Sequence, residues 1–394
     1  MKICLIFGTY PPMKDGGAGF VYNLVNALTA LGVSVSVLTS GKVRESFLRT
    51  PGVTVFPVID DWAGLDGFYA MRKAITSINP DVIHVIYPSS FFGNNYKLPF
   101  FIKLFFRRPV VVTMFSMFKT GSYFTTKLGI LALILSADYL MSHDFLYIQF
   151  LKKYLFFKKK RISFVPVGNN LLSTLANVDK YQLRGQCDLE QDKIYLAFSG
   201  QIDVSKGVET LLRALKILHK NGYSTVRLLM VGSGDRIRAS EGEGYDEKYS
   251  DYSRKIFSLM HDLCLQDKIV WTGYVSADKF NEYMKCADLA VFPFKANVIG
   301  RSSLINALSL GLPVITTVDH SGNLLKDKYN ILMVNSGNPQ ELAAAVVCLL
   351  KSPTLTKNIA AGGRELFQNV FTWEAIAEKT LEIYGKAMRR GWFK

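Results

Sequence analysis

Short apolar runs alternate with segments of helical period along the whole chain. The first half opens with an apolar run at residues 2–7, a glycine-containing loop, an amphipathic segment at 20–31 and a second apolar run at 33–38. Strands buried on both faces read as continuous apolar runs, whereas a helix repeats its apolar residues every three or four positions. This order of segments therefore predicts a βαβ unit. Further strands are predicted at 53–58, 82–87, 110–113 and 162–167.

The second half of the chain repeats the same alternation. A strand predicted at 194–199 leads through a loop into a helical stripe at 208–218. Later strands are predicted at 227–231, 267–272, 288–294, 314–317 and 330–334, with helices at 303–312 and 339–350. The repetition predicts an α/β protein of two Rossmann-like, doubly wound domains that face each other across a cleft.

Two segments interrupt this alternation. Residues 173–192 are polar and without a period, and we interpret them as a linker between a first domain at 1–172 and a second at 193–372. Residues 241–255 are acidic and rich in tyrosine, again without an apolar period. That composition predicts a mobile surface insertion.

The charge balance of the chain is strongly basic. Lys and Arg number 47 against 32 Asp and Glu, a formal net charge of +15 over 394 residues. Such a balance indicates anionic partners, which are nucleotide phosphates, an anionic membrane surface or nucleic acid. Because only the net charge favours nucleic acid and no nucleic-acid-binding module is recognisable, we expect no such partner.

The cysteine pattern and the apolar runs bear on location. Five cysteines are scattered without a C-x-x-C pair, which favours a reduced cytoplasmic protein with buried thiols over a disulfide framework or a metal site. The longest uncharged apolar run, at 128–137, is too short to span a bilayer. We therefore expect no transmembrane helix. We also expect no secretory signal, because the short apolar run at 1–8 passes straight into a Tyr-Pro-Pro turn and a glycine loop.

Two segments combine bulky apolar residues with cations. Segment 98–109 carries Lys103, Arg107 and Arg108, and segment 145–161 carries Lys152, Lys153 and three further lysines. This combination is typical of a helix that lies in a membrane interface and is attracted to anionic lipid. The alternative is a helix packed on the sheet with its cations in water. The first interpretation predicts peripheral contact with the inner face of the cell membrane.

Three loops offer backbone N–H groups at the start of a predicted helix. The segment at 291–317 places Arg301, Ser302 and Ser303 between a strand and a helix. The loop at 200–207 supplies Lys206, and the loop at 15–19 is rich in glycine. Helix N-termini and nearby cations are well suited to hold phosphate groups. For the glycine loop, a plain tight turn is an equal alternative.

The motifs in these loops resemble those of GT-B glycosyltransferases, in particular the family 4-like enzymes of group 1. They are "A-x-x-x-G-x-P-V-I" starting at Ala307, "G-x-x-x-x-x-K-G" ending at Gly207, and a "P-P-x-x-x-G-G" loop formed by Pro11, Pro12, Gly16 and Gly17. The resemblance covers nearly the whole chain. It implies a retaining, metal-independent hexosyl transfer from a nucleotide-diphosphate sugar, which is a donor substrate and not a cofactor. It also implies that residues 373–394 cross back to pack on the first domain.

The resemblance also implies roles for individual residues. Lys206 and Arg301 are the catalytic candidates, because they would stabilise the leaving diphosphate. His84 and Phe115 are the acceptor-side candidates, although a lone histidine in an apolar strand is more often a satisfied core residue. The donor-binding candidates are Gly16, Gly17, Gln201, Lys206, Gly232, Gly234, Tyr274, Arg301, Ser302, Ser303 and Asn306.

Four positions depart from the family pattern. Val298 and Asn306 occupy the places of two glutamates, Gln201 that of an arginine, and Met114–Phe115 that of a histidine. The preferred function is transfer of a sugar to a lipid-linked or saccharide acceptor in bacterial surface polysaccharide or glycolipid synthesis. The alternative is a GT-B-fold binding or partner subunit without catalytic turnover.

Overall fold

The structure is a computed structural model that divides into two compact units. One unit is formed by Met1–Asn170 with Val370–Lys394, and the other by Leu171–Asn369. The described residues are 1–13, 16–43, 50–62, 64–87, 97–114, 136–154, 161–169, 178–232, 247–295, 298–318 and 324–391.

The first unit is built on a parallel sheet of seven strands. They are β1 (Lys2–Ile6), β2 (Ser34–Ser40), β3 (Val53–Ile59), β4 (Val82–Tyr87), β5 (Val110–Met114), β6 (Tyr139–Ser142) and β7 (Ile162–Phe164). Their spatial order is β3-β2-β1-β4-β5-β6-β7, so the chain reverses direction across the sheet between β1 and β4. In sheets of this kind, ligands bind beyond the carboxyl ends of the strands at such a reversal.

Helices cover both faces of this sheet. The helices are α1 (Gly16–Ala30), α2 (Leu65–Ile78), α3 (Lys97–Phe105), α4 (Phe145–Tyr154) and the C-terminal helix (Trp373–Gly391). Because successive side chains of a strand point to opposite faces, Ile3 and Leu5 of β1 enter one core and Cys4 and Ile6 enter the other. The first core also contains α1 and the C-terminal helix, and the second contains α2, α3 and α4.

The C-terminal helix is anchored in the first unit by its first residue. The indole Nε1 of Trp373 donates a 2.9 Å hydrogen bond to the carbonyl of Asn169, and its ring lies 5.3 Å from that of Phe20. Gly168 allows this approach, since a Cβ there would lie 2.6 Å from the indole. Further along the helix, Tyr384 is fully buried.

The second unit is a parallel sheet of six strands with the same kind of winding. They are β8 (Ile194–Ser199), β9 (Val226–Val231), β10 (Ile269–Gly273), β11 (Leu289–Phe292), β12 (Val314–Thr317) and β13 (Leu332–Val334), in the order β10-β9-β8-β11-β12-β13. Its helices are α5 (Lys180–Gln186), α6 (Val208–Lys220), α7 (Glu247–Asp262), α8 (Ala277–Lys285), α9 (Ser302–Ser309), α10 (Pro339–Lys351) and α11 (Pro353–Leu366). Two such sheets confirm the predicted α/β class with two doubly wound domains.

Two predicted segments differ in the structure. Helix α7 occupies part of the predicted surface insertion, and α5 lies within the predicted linker. Arg184 of α5 is buried, donates a 3.0 Å hydrogen bond from Nε to the carbonyl of Cys286, and pairs with Asp288 at 2.7 Å. Asp288 also pairs with Lys180 at 2.6 Å and accepts a hydrogen bond from the backbone of Tyr195. These contacts hold the described part of the segment against the second unit.

Candidate functional site

Two cations of the second unit share one aromatic ring. Lys206 Nζ lies 5.4 Å from the ring centroid of Phe294, and the guanidinium carbon of Arg301 lies 5.2 Å from the same centroid. Lys206 follows β8 and Arg301 precedes α9, and the strands β8 and β11 that lead to these loops are neighbours. The parallel sheet thus brings together two catalytic candidates that are far apart in the sequence.

The environment of Lys206 disfavours its own charge. Burial of its side chain, followed by the neighbouring Arg301, lowers the pKa of Lys206, and Asp203 acts in the opposite direction. A half-buried lysine beside a second cation loses solvation and gains repulsion. An anion bound at the two cations would reverse both effects, so the pair has the electrostatic character of an anion site.

Glycine permits the close packing of the Lys206 loop. Gly200 has φ +128°, and a Cβ there would lie 3.5 Å from Lys206 Nζ. Gly207 has φ +71°, and a Cβ there would lie 1.9 Å from the carbonyl oxygen of Pro293. No other residue type fits this second position without displacing the loop. In the "G-x-x-x-x-x-K-G" motif, Gly200 is therefore explained by its backbone conformation, and Gly207 also by steric contact.

Two helix N-termini open beside these cations. Gly207 caps α6 and Arg301 caps α9, and neither cap residue has a side chain that accepts a hydrogen bond from the first turn. Ser205 joins the two loops, because its carbonyl accepts from the backbone of Lys295 at 2.9 Å and its Oγ lies 3.4 Å from Arg301 Nη2. The unsatisfied N–H groups of a first helical turn carry partial positive charge and favour an anion.

The first two turns of α9 are mostly buried. Ser302 is exposed, whereas Ser303 and Asn306 are 8% and 1% exposed. Asn306 Nδ2 donates a 2.9 Å hydrogen bond to Asn281 Oδ1 of α8. Among the described residues, neither Ser303 Oγ nor Asn306 Oδ1 has a hydrogen-bond partner. The residue that replaces the second glutamate is thus held inside the second unit, and Val298, which replaces the first, is 2% exposed.

The other donor-side candidates lie near carboxyl ends of neighbouring strands. Gly232 follows β9 with φ +70°, and its N–H donates to Thr272 Oγ1 at 3.0 Å. Tyr274 follows β10 and is 84% exposed, and Gln201, two residues after β8, is exposed. Gly234 lies outside the described residues. Ends of parallel strands meet at one edge of a sheet, which is also the edge of the Lys206 loop.

The candidates of the first unit differ in their surroundings. Gly16 and Gly17 form the beginning of α1, so the glycine loop ends in a helix N-terminus. His84 is fully buried and shares 2.7 Å hydrogen bonds with Tyr384 and Thr113, and burial lowers its pKa to about 3. It is a satisfied core histidine, and both its ring nitrogens are engaged within the unit. Phe115 lies outside the described residues.

A second histidine of the first unit, not singled out from the sequence, lies at the carboxyl end of a strand. His143 directly follows β6, and its Nδ1 donates a 2.6 Å hydrogen bond to the carbonyl of Val165. Burial lowers its pKa to about 4, so the ring is neutral at pH 7 with its proton on Nδ1. Its position immediately after a strand is the sequence signal that marks it.

The described residues contain neither a metal-binding cluster nor a membrane-spanning helix. No group of three or more His, Cys, Asp or Glu side chains there is arranged to hold a metal ion. Within those same residues, every helix is too short or too polar to cross a bilayer.

Comparison with known proteins gives matches over both units. Residues 179–366 match the family model described as glycosyl transferases group 1, and residues 14–166 match that of glycosyltransferase family 4. An uncharacterised glycosyltransferase of Methanocaldococcus jannaschii is 24% identical over 98% of this chain and 99% of its own. The next curated relatives are matched over about half their length.

Solved structures share the fold. Sucrose-phosphate synthase from Thermosynechococcus elongatus gives a TM-score of 0.72 at 21% identity, covering 99% of both chains. Anabaena HepE in complex with UDP and glucose gives 0.67 at 16% identity, covering 98% of this chain and 100% of its own. Two adjoining family models and these folds identify the class: the chain belongs to the GT-B glycosyltransferases of the family 4-like group. The resemblance inferred from its loops is confirmed.

Proposed function

We propose that this glycosyltransferase moves a hexosyl group from a nucleotide-diphosphate sugar to an acceptor hydroxyl, with retention of anomeric configuration and without a metal ion. The observation that carries the proposal is the cation pair over Phe294, at 5.4 Å for Lys206 and 5.2 Å for Arg301. A diphosphate is the anion that matches two cations and two helix N-termini.

The two cations would act on the leaving group. The acceptor oxygen forms a bond to the anomeric carbon of the sugar, the bond from that carbon to the β-phosphate oxygen breaks, and the proton of the acceptor hydroxyl passes to the departing diphosphate. Negative charge develops on the diphosphate as this bond lengthens, and Lys206 and Arg301 are placed in advance to stabilise it. Retention of configuration is implied by the family resemblance. Because Val298 and Asn306 stand where relatives carry glutamates, the stabilisation of the leaving diphosphate is assigned to the two cations.

The donor assignment has further support. HepE, whose fold this chain shares, has been crystallised with UDP and with UDP-glucose. On this proposal the diphosphate also contacts the N-terminus of α9 at Ser302 and Ser303, and the nucleoside contacts Gln201, Gly232 and Tyr274. Asn306 is too buried for a direct contact, and the roles of Gly16, Gly17 and Gly234 rest on the family resemblance alone. The sugar and the base are left open.

The proposed acceptor is lipid-linked or saccharide, in bacterial surface polysaccharide or glycolipid synthesis at the cytoplasmic face of the cell membrane. The support is the net charge of +15 and the two basic, apolar segments of the first domain. A cation-rich surface raises the local concentration of an acceptor carried by anionic lipid.

A panel of nucleotide-diphosphate sugars tests the proposal, with melting temperature and nucleotide release measured together. A true donor raises the melting temperature by mass action and is slowly hydrolysed. Lys206→Ala should reduce both effects, whereas Lys220→Ala, at the exposed far end of α6, should leave both unchanged. Activity that persists in EDTA supports metal independence, and NMR of the product reports the anomeric configuration.

One observation favours a second candidate, a GT-B-fold binding subunit without turnover. Asn306, at a position where relatives carry a carboxylate, is buried and bonded to Asn281. If no donor stabilises the protein or releases nucleotide, while a protein partner binds, the subunit function replaces the transferase proposal.

A further inference from the structure

Two neighbouring helices of the first unit expose large apolar side chains. On α2, Leu65 and Tyr69 are 76% and 62% exposed, and on α3, Phe101, Leu104 and Phe105 are 37%, 64% and 45% exposed. We name these five residues the α2–α3 surface. Only Met1 and Leu31 are also exposed large apolar residues among the described residues of this unit. Single exposed apolar residues need no explanation, but such a grouping marks an interaction site.

The exposed side chains of the two helices form one surface. The ring of Phe68, on α2, lies 5.7 Å from that of Phe101 and 5.0 Å from that of Phe105. The inner sides of the same helices are fixed in a common core by Met71 and Ile102. The α2–α3 surface is therefore a rigid feature of the sheet layer, and its apolar side chains are presented outward without any rearrangement.

Cations lie beside the part of this surface formed by Tyr69 and the end of α3. Arg72 stacks over the ring of Phe105 at 5.6 Å, and Lys73 is exposed beside it on α2. Arg107 and Arg108 are exposed just beyond the end of α3. Lys103 is engaged by Asp138. The exposed carboxylates Asp60 and Asp61 precede α2, and Asp66 lies in its first turn beside Leu65, six residues before Arg72.

A third helix adds to the charge on the same side of the sheet. Ile148 and Leu151 of α4 belong to the same core as Met71 and Ile102. Lys152 and Lys153, which follow on α4, are exposed. The described parts of the two basic segments singled out in the sequence, on α3 and α4, therefore pack on the same face of the sheet.

We infer that the α2–α3 surface docks on an anionic lipid bilayer. Aromatic and aliphatic side chains would enter the boundary between headgroups and acyl chains, and the neighbouring cations would pair with headgroup phosphates. The charge complementarity selects this partner, because exposed cations beside the apolar side chains match an anionic headgroup layer. This surface would bring the enzyme to the membrane that carries the proposed acceptor. The biological role of docking rests on the proposed function, whereas the docking itself does not.

Co-sedimentation of the full chain with vesicles tests this inference without any sugar donor. Vesicles of phosphatidylcholine are compared with vesicles containing phosphatidylglycerol, at low and at high salt. Each cation near an anionic bilayer contributes about fivefold in binding, so Lys73→Gln with Arg107→Gln should lower the partition coefficient about 30-fold. Leu104→Gln should lower it about fivefold, since it removes apolar area from the boundary.

Matched controls come from exposed residues elsewhere. Lys220→Gln with Lys351→Gln removes two exposed cations of the second unit, and Leu31→Gln removes an exposed leucine after α1. These variants should bind as the parent protein does. Equal losses in control and surface variants, or a parent protein that stays in the supernatant with both vesicle types, would overturn the inference.

Two further readouts separate the alternatives. If sedimentation velocity shows a dimer that Leu104→Gln dissociates while vesicles are not bound, the α2–α3 surface binds a second copy and lipid docking is wrong. The donor-induced rise in melting temperature should be the same in the surface variants as in the parent. A failure of vesicle binding with donor binding intact therefore rejects the docking face alone, and the reverse result rejects the proposed transferase function alone.

Discussion

Replacing Lys206 by methionine separates the effect of the Lys206–Arg301 pair on stability from its effect on donor binding. Its two charged centres share the Phe294 ring at 5.4 and 5.2 Å. They therefore lie at most roughly 11 Å apart, and the repulsion at that distance is about 0.4 kcal/mol in water and about 1.5 kcal/mol at an effective dielectric constant of 20, which are lower limits. Methionine removes this repulsion and keeps an unbranched side chain of similar length.

The loss of the contact with Phe294 acts in the opposite direction. A cation over an aromatic ring at a partly exposed site contributes about 0.5–1 kcal/mol. The free energy of unfolding without ligand should therefore fall by no more than about 1 kcal/mol in Lys206→Met. A charge-assisted hydrogen bond to a diphosphate contributes about 1.5–3 kcal/mol. Donor affinity should accordingly fall between about 10-fold and 150-fold.

Urea unfolding without ligand and isothermal titration with the donor measure the two quantities. Titration with inorganic pyrophosphate isolates the diphosphate contribution. Lys220→Met, at the other end of α6, is the matched control and should alter neither quantity. If Lys206→Met lowers the free energy of unfolding by more than about 2 kcal/mol, or leaves both affinities unchanged, Lys206 is a packing residue and the reasoning is refuted.

Three other perturbations follow from the geometry. Gly207→Ala should lower the melting temperature more than Gly222→Ala, because both have positive φ but only the first would bring a Cβ to 1.9 Å from a carbonyl oxygen; equal effects would contradict this. His84 and His143 stay neutral when folded, with pKa values lowered by burial to about 3 and about 4 from 6.5. Unfolding therefore takes up protons below pH 6.5, and stability should fall from there toward pH 4 by up to about 1.4 kcal/mol per pH unit for each histidine; a flat profile of melting temperature, or one unchanged in His143→Gln, would refute it. Asp288→Asn leaves a buried arginine uncompensated and should cost about 3–5 kcal/mol in urea unfolding, and a loss below about 1 kcal/mol would show the pair to be dispensable.

The cation pair shows how much of the site could be predicted from the sequence. Lys206 and Arg301 stand out because each lies in a polar loop between a strand and a helix, and parallel winding brings such loops to one edge. Their common contact with Phe294 could not be predicted, because it depends on side-chain directions beyond the end of β11. The burial of Asn306 could not be predicted either, because it depends on one side-chain hydrogen bond to Asn281, on a different helix.

Other features depended on partners distant in the chain. The sequence of β4 left His84 open between a core residue and an acceptor contact, and the deciding hydroxyl belongs to Tyr384, 300 positions later. Helix α7 was predicted as a surface insertion because its residues have no clear apolar period. The described part of the predicted linker carries Arg184, whose burial becomes possible only because Asp288 neutralises it. Long-range pairings of this kind leave no periodic signal.

The return of the C-terminal helix to the first unit has a consequence for the order of assembly. The core around β1 and α1 includes Trp373 and Tyr384, which a ribosome adds only after the whole second unit has been made. The second unit is one continuous segment and can fold as soon as it has been synthesised. The first unit cannot complete its core until the C-terminal helix has been added. His84 has only Thr113 of its two hydroxyl partners during this interval, because Tyr384 has not yet been made. Truncation near residue 370 should therefore damage the amino-terminal unit and spare the one that was translated last before the cut.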